Sequence, residues 1–264
     1  MHKSESRAMN DIRTPRPWWS PEVLAERERE VRTGNDPANE DVRNDFASYR
    51  ALVSGADTSQ ASLHLHNECE PWRVDTVCRD YQAVVRAALG RPPRTIADLG
   101  CGAGFTTDGL KRTWPAAVVH GFDVSHDAVT VARSRWPACQ FTQAALSPDV
   151  TVPRSPYDFI LCQEFYPFTR TGEIADHRSW LSCLWRSLAP GGVAVVMISA
   201  ATPESINDTF GELRSEFALQ RVRVAAPRIS RSLPFAASCS AAAVLRIVKP
   251  LWVRNLYVLR SPAN

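Results

Sequence analysis

The sequence contains no apolar run of membrane length: the longest nearly uncharged one, residues 191–201, is far short of the ~20 residues a spanning helix needs. The N-terminal stretch MHKSESRAMNDIRTPRP carries charges without the apolar centre of a secretory signal, and residues 1–17 read as a disordered arm. A cytoplasmic protein without membrane contact is expected. The seven cysteines, Cys69, Cys78, Cys101, Cys139, Cys162, Cys183 and Cys239, fall singly, with no C-x-x-C pair and no histidine at ligand spacing. That pattern argues against a disulfide framework and against a metal site. His64 and His66 lie two apart but lack further local ligands, and read as surface or strand residues. Internal repeats and low-complexity linkers are also missing.

What is present is an ordinary globular composition over 264 residues, with 44% hydrophobic and 22% charged side chains, enough for one large domain with a cap. Net charge is +3, and from Glu212 to Arg260 nine Lys or Arg face two Glu. That local excess suits an anionic substrate or nucleic acid, or else a solvated basic face.

Residues 18–92 show helical patterns and no strand-like runs, as a helical cap would. Ser20-Pro21 starts one helix near 21–31, a second covers about 38–53, and a third spans about 74–89. In the third, Val74, Val77, Cys78, Tyr81, Val84, Val85 and Ala88 recur at three- and four-residue spacing before Gly90 stops it. From residue 93 onward short apolar strands alternate with amphipathic helices, the pattern of a mostly parallel sheet covered on both faces. Strands are expected at 95–99, 118–123, 139–142, 157–162, 193–199, 220–225 and 252–260, with helices at 104–114, 125–136, 176–188 and 203–217. This predicts an α/β fold with a doubly wound, seven-stranded sheet. Residues 227–249 form an apolar insertion, too long for a hairpin loop and partly helical, suited to wall an acceptor pocket.

Chemistry concentrates in Thr95-Ile-Ala-Asp-Leu-Gly-Cys-Gly-Ala-Gly104, a strand that runs into three alternating glycines and then a helix. Glycines there let the backbone turn tightly and approach a ligand. A phosphate loop is excluded because no Gly-Lys-Ser/Thr follows. A dinucleotide and S-adenosylmethionine remain. The dinucleotide fingerprint wants its third small residue where Phe105 stands, and its helix start must receive a pyrophosphate. Asp98, two residues before Gly100, sets a negative charge beside that place and suits a cationic amino group and sulfonium instead. Asp123 follows Gly104 by nineteen residues, where a carboxylate accepts from ribose hydroxyls. A nicotinamide dehydrogenase is the weaker alternative.

Ala97-Asp-Leu-Gly-Cys-Gly-Ala-Gly104, Gly121-Phe-Asp-Val-Ser125, Tyr157-Asp-Phe-Ile-Leu161 and Leu188-Ala-Pro-Gly-Gly192 together resemble the ordered motifs of class I, Rossmann-like S-adenosylmethionine-dependent methyltransferases. The resemblance covers about residues 95–199. It implies that Asp98, Gly100, Cys101, Gly102 and Gly104 surround the methionine part of the cofactor, although Cys101 also reads as a small core residue. Asp123 would hold the ribose, Val124 would lie against adenine, and Gln163 would border the methionine. The family's frequent acidic residue after the third strand is absent from Phe141-Thr-Gln-Ala-Ala145, so Gln143 or a backbone group near Ala144 is left to read adenine. Asp158 is expected to anchor, and Pro190-Gly191-Gly192 to form a structural turn.

Methyl transfer from a sulfonium is an in-line displacement with a neutral leaving group, so alignment and dryness are the protein's main tasks. A base is needed only when the accepting atom starts protonated. Glu164, after the fourth strand, is the first candidate, or a group that binds a cationic or hydroxylated substrate; His177 is the second, or an exposed first-turn residue; Tyr166 could shape the acceptor. Gln163-Glu-Phe-Tyr-Pro-Phe168 lacks the Asn/Asp-Pro-Pro-Tyr/Phe signature of enzymes that methylate DNA adenine or glutamine amino groups, and no Pro-Cys motif of cytosine methylation occurs in the matched region. Trp18, Trp19, Tyr49, Trp72 and Tyr81 could line a pocket for an aromatic or heterocyclic acceptor, or serve packing alone. The resulting expectation is an N- or O-methyltransferase for a small molecule; the alternatives are an RNA or protein methyltransferase and a non-catalytic cofactor-binding protein.

Overall fold

The computed structural model describes residues 25, 29, 47–51, 53–54, 70–169, 171–199, 204–249 and 252–262. The arm at 1–17, Trp18, Trp19, His64, His66, Cys69 and most of the two helices expected at 21–31 and 38–53 lie outside them. Residues 47–51 are helical, and Tyr49 among them is buried.

The described elements run α1 (Pro71–Leu89), β1 (Thr95–Leu99), α2 (Phe105–Thr113), β2 (Val118–Asp123), α3 (His126–Arg135), β3 (Gln140–Gln143), β4 (Tyr157–Gln163), α4 (Tyr166–Thr169), α5 (Ile174–Ser187), β5 (Leu188–Ile198), α6 (Glu204–Glu212), β6 (Gln220–Ala225), α7 (Pro227–Ser230), α8 (Phe235–Val248) and β7 (Val253–Arg260). The seven strands form one sheet in the order β3-β2-β1-β4-β5-β7-β6. Only β7 runs antiparallel to its neighbours. After β3 the chain crosses to the other side of β1 and enters β4, so the topological switch point lies between β1 and β4, where doubly wound sheets open a crevice at their carboxyl ends.

Alternate residues along the inner strands feed two cores. Ile96, Val119, Phe159, Leu161, Val195 and Val224 pack beneath α1, α2, α3 and α8; Ala97, Leu99, Phe122, Ile160, Val196 and Leu259 pack beneath α4, α5 and α6. The central strand β4 is buried along all but its last residue, as a strand covered on both faces must be. Helix α1 belongs to the first layer and packs directly on the sheet; of the residues expected to form a cap, these cover its face. Pro71 opens α1, and Gly90, left-handed at φ 70°, closes it by donating to the Arg86 carbonyl.

The amino-terminal edge of the sheet is tied by Asp158, as expected of an anchor. Its carboxylate takes a bidentate pair from Arg91 at 2.6 and 3.0 Å and the Arg94 amide at 2.7 Å. Those donors, Arg91 first, hold its carboxyl below the usual value. Among the expected boundaries that shift, three have a visible cause. Strand β5 begins at Leu188 instead of Val193, because Leu188 pairs with Tyr157 across a register break that absorbs Pro190-Gly191-Gly192. Strand β3 moves one residue on, since the Cys139 amide is held in a turn by the Trp136 carbonyl. Helix α6 stops at Glu212, and turns carry the chain to Phe217.

Candidate functional site

Beyond β1 the backbone turns on Gly100, Gly102 and Gly104, all with positive φ. At Gly104, φ is 82° and an added Cβ would sit 2.8 Å from the rings of Phe141 and Trp136; at Gly100 it would press on Phe165 at 3.1 Å. Left-handed backbone and aromatic packing together require glycine there. The amides of Gly100 and Cys101 donate to the Phe122 carbonyl, and Trp136 Nε1 donates to the Ala103 carbonyl. The turn is thus fixed from below by β2 and from the side by the end of α3.

Asp98 is buried and accepts a hydrogen bond from Thr107 Oγ1 at 2.7 Å, which ties β1 to the first turn of α2. Asp123 is half-buried at the end of β2. Its Oδ2 accepts from the Gly102 amide at 2.9 Å and its Oδ1 from the Ser125 amide at 2.8 Å. A carboxylate offers about four acceptor positions, so ribose hydroxyls could share these oxygens. The sequence placed Asp123 at a ribose position; the structure adds that it braces the glycine turn. Between Asp98 and Thr107 there is no lysine or arginine to balance a diphosphate, so the acceptor-rich donor set suits the hydroxyls and cationic centres of S-adenosylmethionine.

Gln163, at the end of β4, accepts from the Tyr81 hydroxyl at 2.8 Å. Burial, with smaller pushes from Cys78, Asp98 and Glu164 against the pull of Arg254, holds the Tyr81 phenol well above its usual value, so it remains a donor. The sequence read Tyr81 as part of an apolar face or of an acceptor pocket's lining. A phenol at such a position needs a buried partner, but nothing in the sequence names Gln163 as that partner. Phe165 over Gly100 and Thr107 under Asp98 were also missed.

Glu164 stands at the same edge with a left-handed backbone, φ 51°, and its Oε1 accepts the Ser199 amide at 2.6 Å. A strained residue at a strand end is a common feature of ligand sites. Tyr166, on α4, is partly exposed. Val124 is half-buried beside Asp123.

One assignment is corrected. His177 is fully buried, neither an exposed first-turn residue nor a group at the mouth. Its Nδ1 pairs with Thr209 Oγ1 at 2.5 Å and its ring packs on Phe168 and Phe210. Burial lowers its pKa, making it a neutral core residue. Gln143 spends its amide on the Val124 carbonyl at 3.0 Å and on His126 at 3.4 Å, and the Ala144 amide donates to the Asp123 carbonyl at 2.8 Å. These two residues shape the loop after β3; their local bonds compete with adenine recognition. Cys101 is buried against β2, as a small core residue would be. Trp72 donates to Glu70 and carries the Arg231 guanidinium over its ring, so its polar atom and one face are engaged.

Among the described residues no helix is long and apolar enough to cross a membrane, and no group of three His, Cys, Asp or Glu is placed to hold a metal ion.

Residues 96–192 match the family model described as a methyltransferase domain. A trans-aconitate 2-methyltransferase of Afipia carboxidovorans is 30% identical over 149 residues, 56% of this chain and 52% of that protein. Another, of Azoarcus sp. strain BH72, is 32% identical over 156 residues, 58% of each. The chain therefore spans about half the length of the curated relatives it matches. The solved structure of the plantazolicin methyltransferase BpumL with S-adenosylhomocysteine superposes with a TM-score of 0.54 over 90% of this chain and 99% of that one, at 15% identity, a likeness of fold. Motif order, sheet order and these matches make residues 96–192 similar to the class I, Rossmann-like S-adenosylmethionine-dependent methyltransferases.

Proposed function

We propose that the chain binds S-adenosylmethionine at the β1 turn and methylates a nitrogen or oxygen of a small molecule held at the carboxyl edge of β4. The carrying observation is the pair of carboxylates, Asp98 and Asp123, set around a left-handed glycine turn at the topological switch point. In this reading Asp98, Gly100, Cys101, Gly102 and Gly104 border the methionine, Asp123 takes the ribose hydroxyls, and Val124 lies against adenine. Gln163, oriented by Tyr81, completes the methionine wall. When bound, the cofactor supplies an electrophilic methyl group.

The chain's own residues then have three tasks. Phe165 and the aromatic layer behind it, Phe168 and Trp180, keep water from the floor of the crevice. Glu164, held by the Ser199 amide, orients the acceptor and receives a proton where the accepting atom carries one. Tyr166 shapes the open side. α7, the start of the 227–249 insertion, would wall the edge; the Ser230 and Arg231 carbonyls already fasten that insertion to Arg79 of α1. A small-molecule acceptor is supported by the relatives named for trans-aconitate. The competing RNA or protein reading relied on the basic C-terminal stretch, but Arg221, Arg223 and Arg246 of that stretch gather at the far edge of the sheet, away from the turn.

The test is incubation with methyl-labelled cofactor and, in parallel, pools of small carboxylate, amine and heterocyclic acceptors, total RNA, and protein. Label in the small-molecule pool supports the proposal. Label confined to RNA or protein refutes it, and cofactor binding with no label anywhere would indicate a binding protein.

A further inference from the structure

Strand β6 forms one edge of the sheet, opposite β3, and α8 lies along it. Between them is a groove of about 390 Å³ lined by Arg221, Val222, Arg223, Cys239, Ala243 and Arg246. That volume falls within the range of small-ligand sites, roughly 300–1,000 Å³. Its chemistry is one-sided. Arg221 donates to the Asn255 side chain and stacks over Tyr257; Arg223 Nε is buried without a hydrogen-bond partner. Among the described residues none of the three arginines is paired with a carboxylate. Burial first, then repulsion from Arg221 and Arg246, lowers the Arg223 guanidinium from its usual value. Like charges brought together without compensation are costly, and a cleft lined by one sign concentrates the opposite ion.

We propose that this groove is a second binding site, for a small molecule carrying a doubly charged oxyanion, with Arg221, Arg223 and Arg246 as its cationic ligands. Guanidinium groups match the planar oxygen pairs of carboxylates and phosphates, and two negative charges offset three crowded cations better than one. Val222, Ala243 and Cys239 give the ligand's carbon skeleton an apolar wall. The site is separate from the methyl-transfer crevice: four strand spacings of ~4.8 Å separate β6 from β1, about 19 Å. It accounts for part of the basic C-terminal excess that the proposed reaction leaves unused, and it holds whether or not that reaction is right.

The experiment titrates the full chain with inorganic phosphate and, separately, with succinate, at constant ionic strength balanced by sodium chloride, using calorimetry. Binding of either anion is expected, and the preferred one identifies the phosphate or dicarboxylate source. Arg246→Ala, at an exposed helix position that leaves the fold intact, should weaken that binding at least tenfold, as should Arg223→Ala, with S-adenosylhomocysteine affinity unchanged in both. Absence of binding for both anions, or binding that Arg246→Ala leaves unaltered, overturns the proposal.

Discussion

Replacing Gly104 by alanine should disable the cofactor turn through backbone and packing alone. The residue has φ 82°, and an added Cβ would lie 2.8 Å from Phe141 Cζ and Trp136 Cδ1, inside any real carbon contact. A left-handed non-glycine residue costs roughly 1–2 kcal/mol, and overpacking against fixed rings about 1–3 kcal/mol. Neither ring can retreat easily: Phe141 lies in the core beside β2, and Trp136 is held by its bond to the Ala103 carbonyl. The combined cost is about 2–5 kcal/mol, and in domains of this size each kcal/mol moves the melting temperature by about 2–4 °C. A cost near ~3 kcal/mol therefore predicts a drop of about 6–12 °C in thermal unfolding followed by circular dichroism. S-adenosylhomocysteine binding should fall by more than tenfold. Gly211→Ala is the control: it sits in α6 with nothing within 4 Å of an added Cβ, so it should stabilise by about 0.5–1 kcal/mol. A Gly104→Ala protein that melts with the wild type and binds as tightly would refute the claim that this turn is sterically committed.

Glu164→Gln should lower turnover about 10²–10⁴-fold if the accepting atom starts protonated, while cofactor affinity, read by calorimetry, stays within threefold; equal loss of both would make Glu164 structural through its bond to Ser199. His177→Phe should leave the pH profile of turnover unchanged. Because burial lowers the His177 pKa, the folded state resists protonation, so wild-type stability should decline as pH falls below the unfolded value of about 6.5; denaturant titrations should show a shallower decline in the variant. Asp158 behaves oppositely in type but not in sign. Its carboxyl is depressed by Arg91, so the margin of wild type over Asp158→Asn should be full above the unfolded value of about 3.9 and vanish as pH drops through the lower folded value. A margin independent of pH would remove the ion pair from the account of the sheet's amino-terminal edge.

Much of this architecture is local in origin, and so could be read from the chain. Near-continuous apolar runs mark β1, β2 and β4 because each feeds two cores, alternation marks β6 because Val222 and Val224 face one core, and three glycines after β1 mark the turn. What escaped was long-range. Tyr81 and Gln163 are 82 residues apart, and Asp80 meets Arg254 across 174, so no spacing rule links them. His177 was misjudged because a first-turn histidine after Asp176 reads as exposed, whereas Phe168, Phe210 and Thr209, brought by α4 and α6, enclose it. Directly after β3, Ala144-Ala145 offered no acidic residue to read, and Gln143 at the strand end bonds to the Val124 carbonyl and to His126.

The central claim is the preference of an acid-flanked glycine turn for a sulfonium ligand over a diphosphate. Parallel calorimetric titrations of the full chain with S-adenosylhomocysteine and with a nicotinamide dinucleotide test it most directly. Saturable binding of the first, weakened by Asp123→Asn, with none of the second is the predicted result; tight binding of the dinucleotide and none of S-adenosylhomocysteine would contradict it.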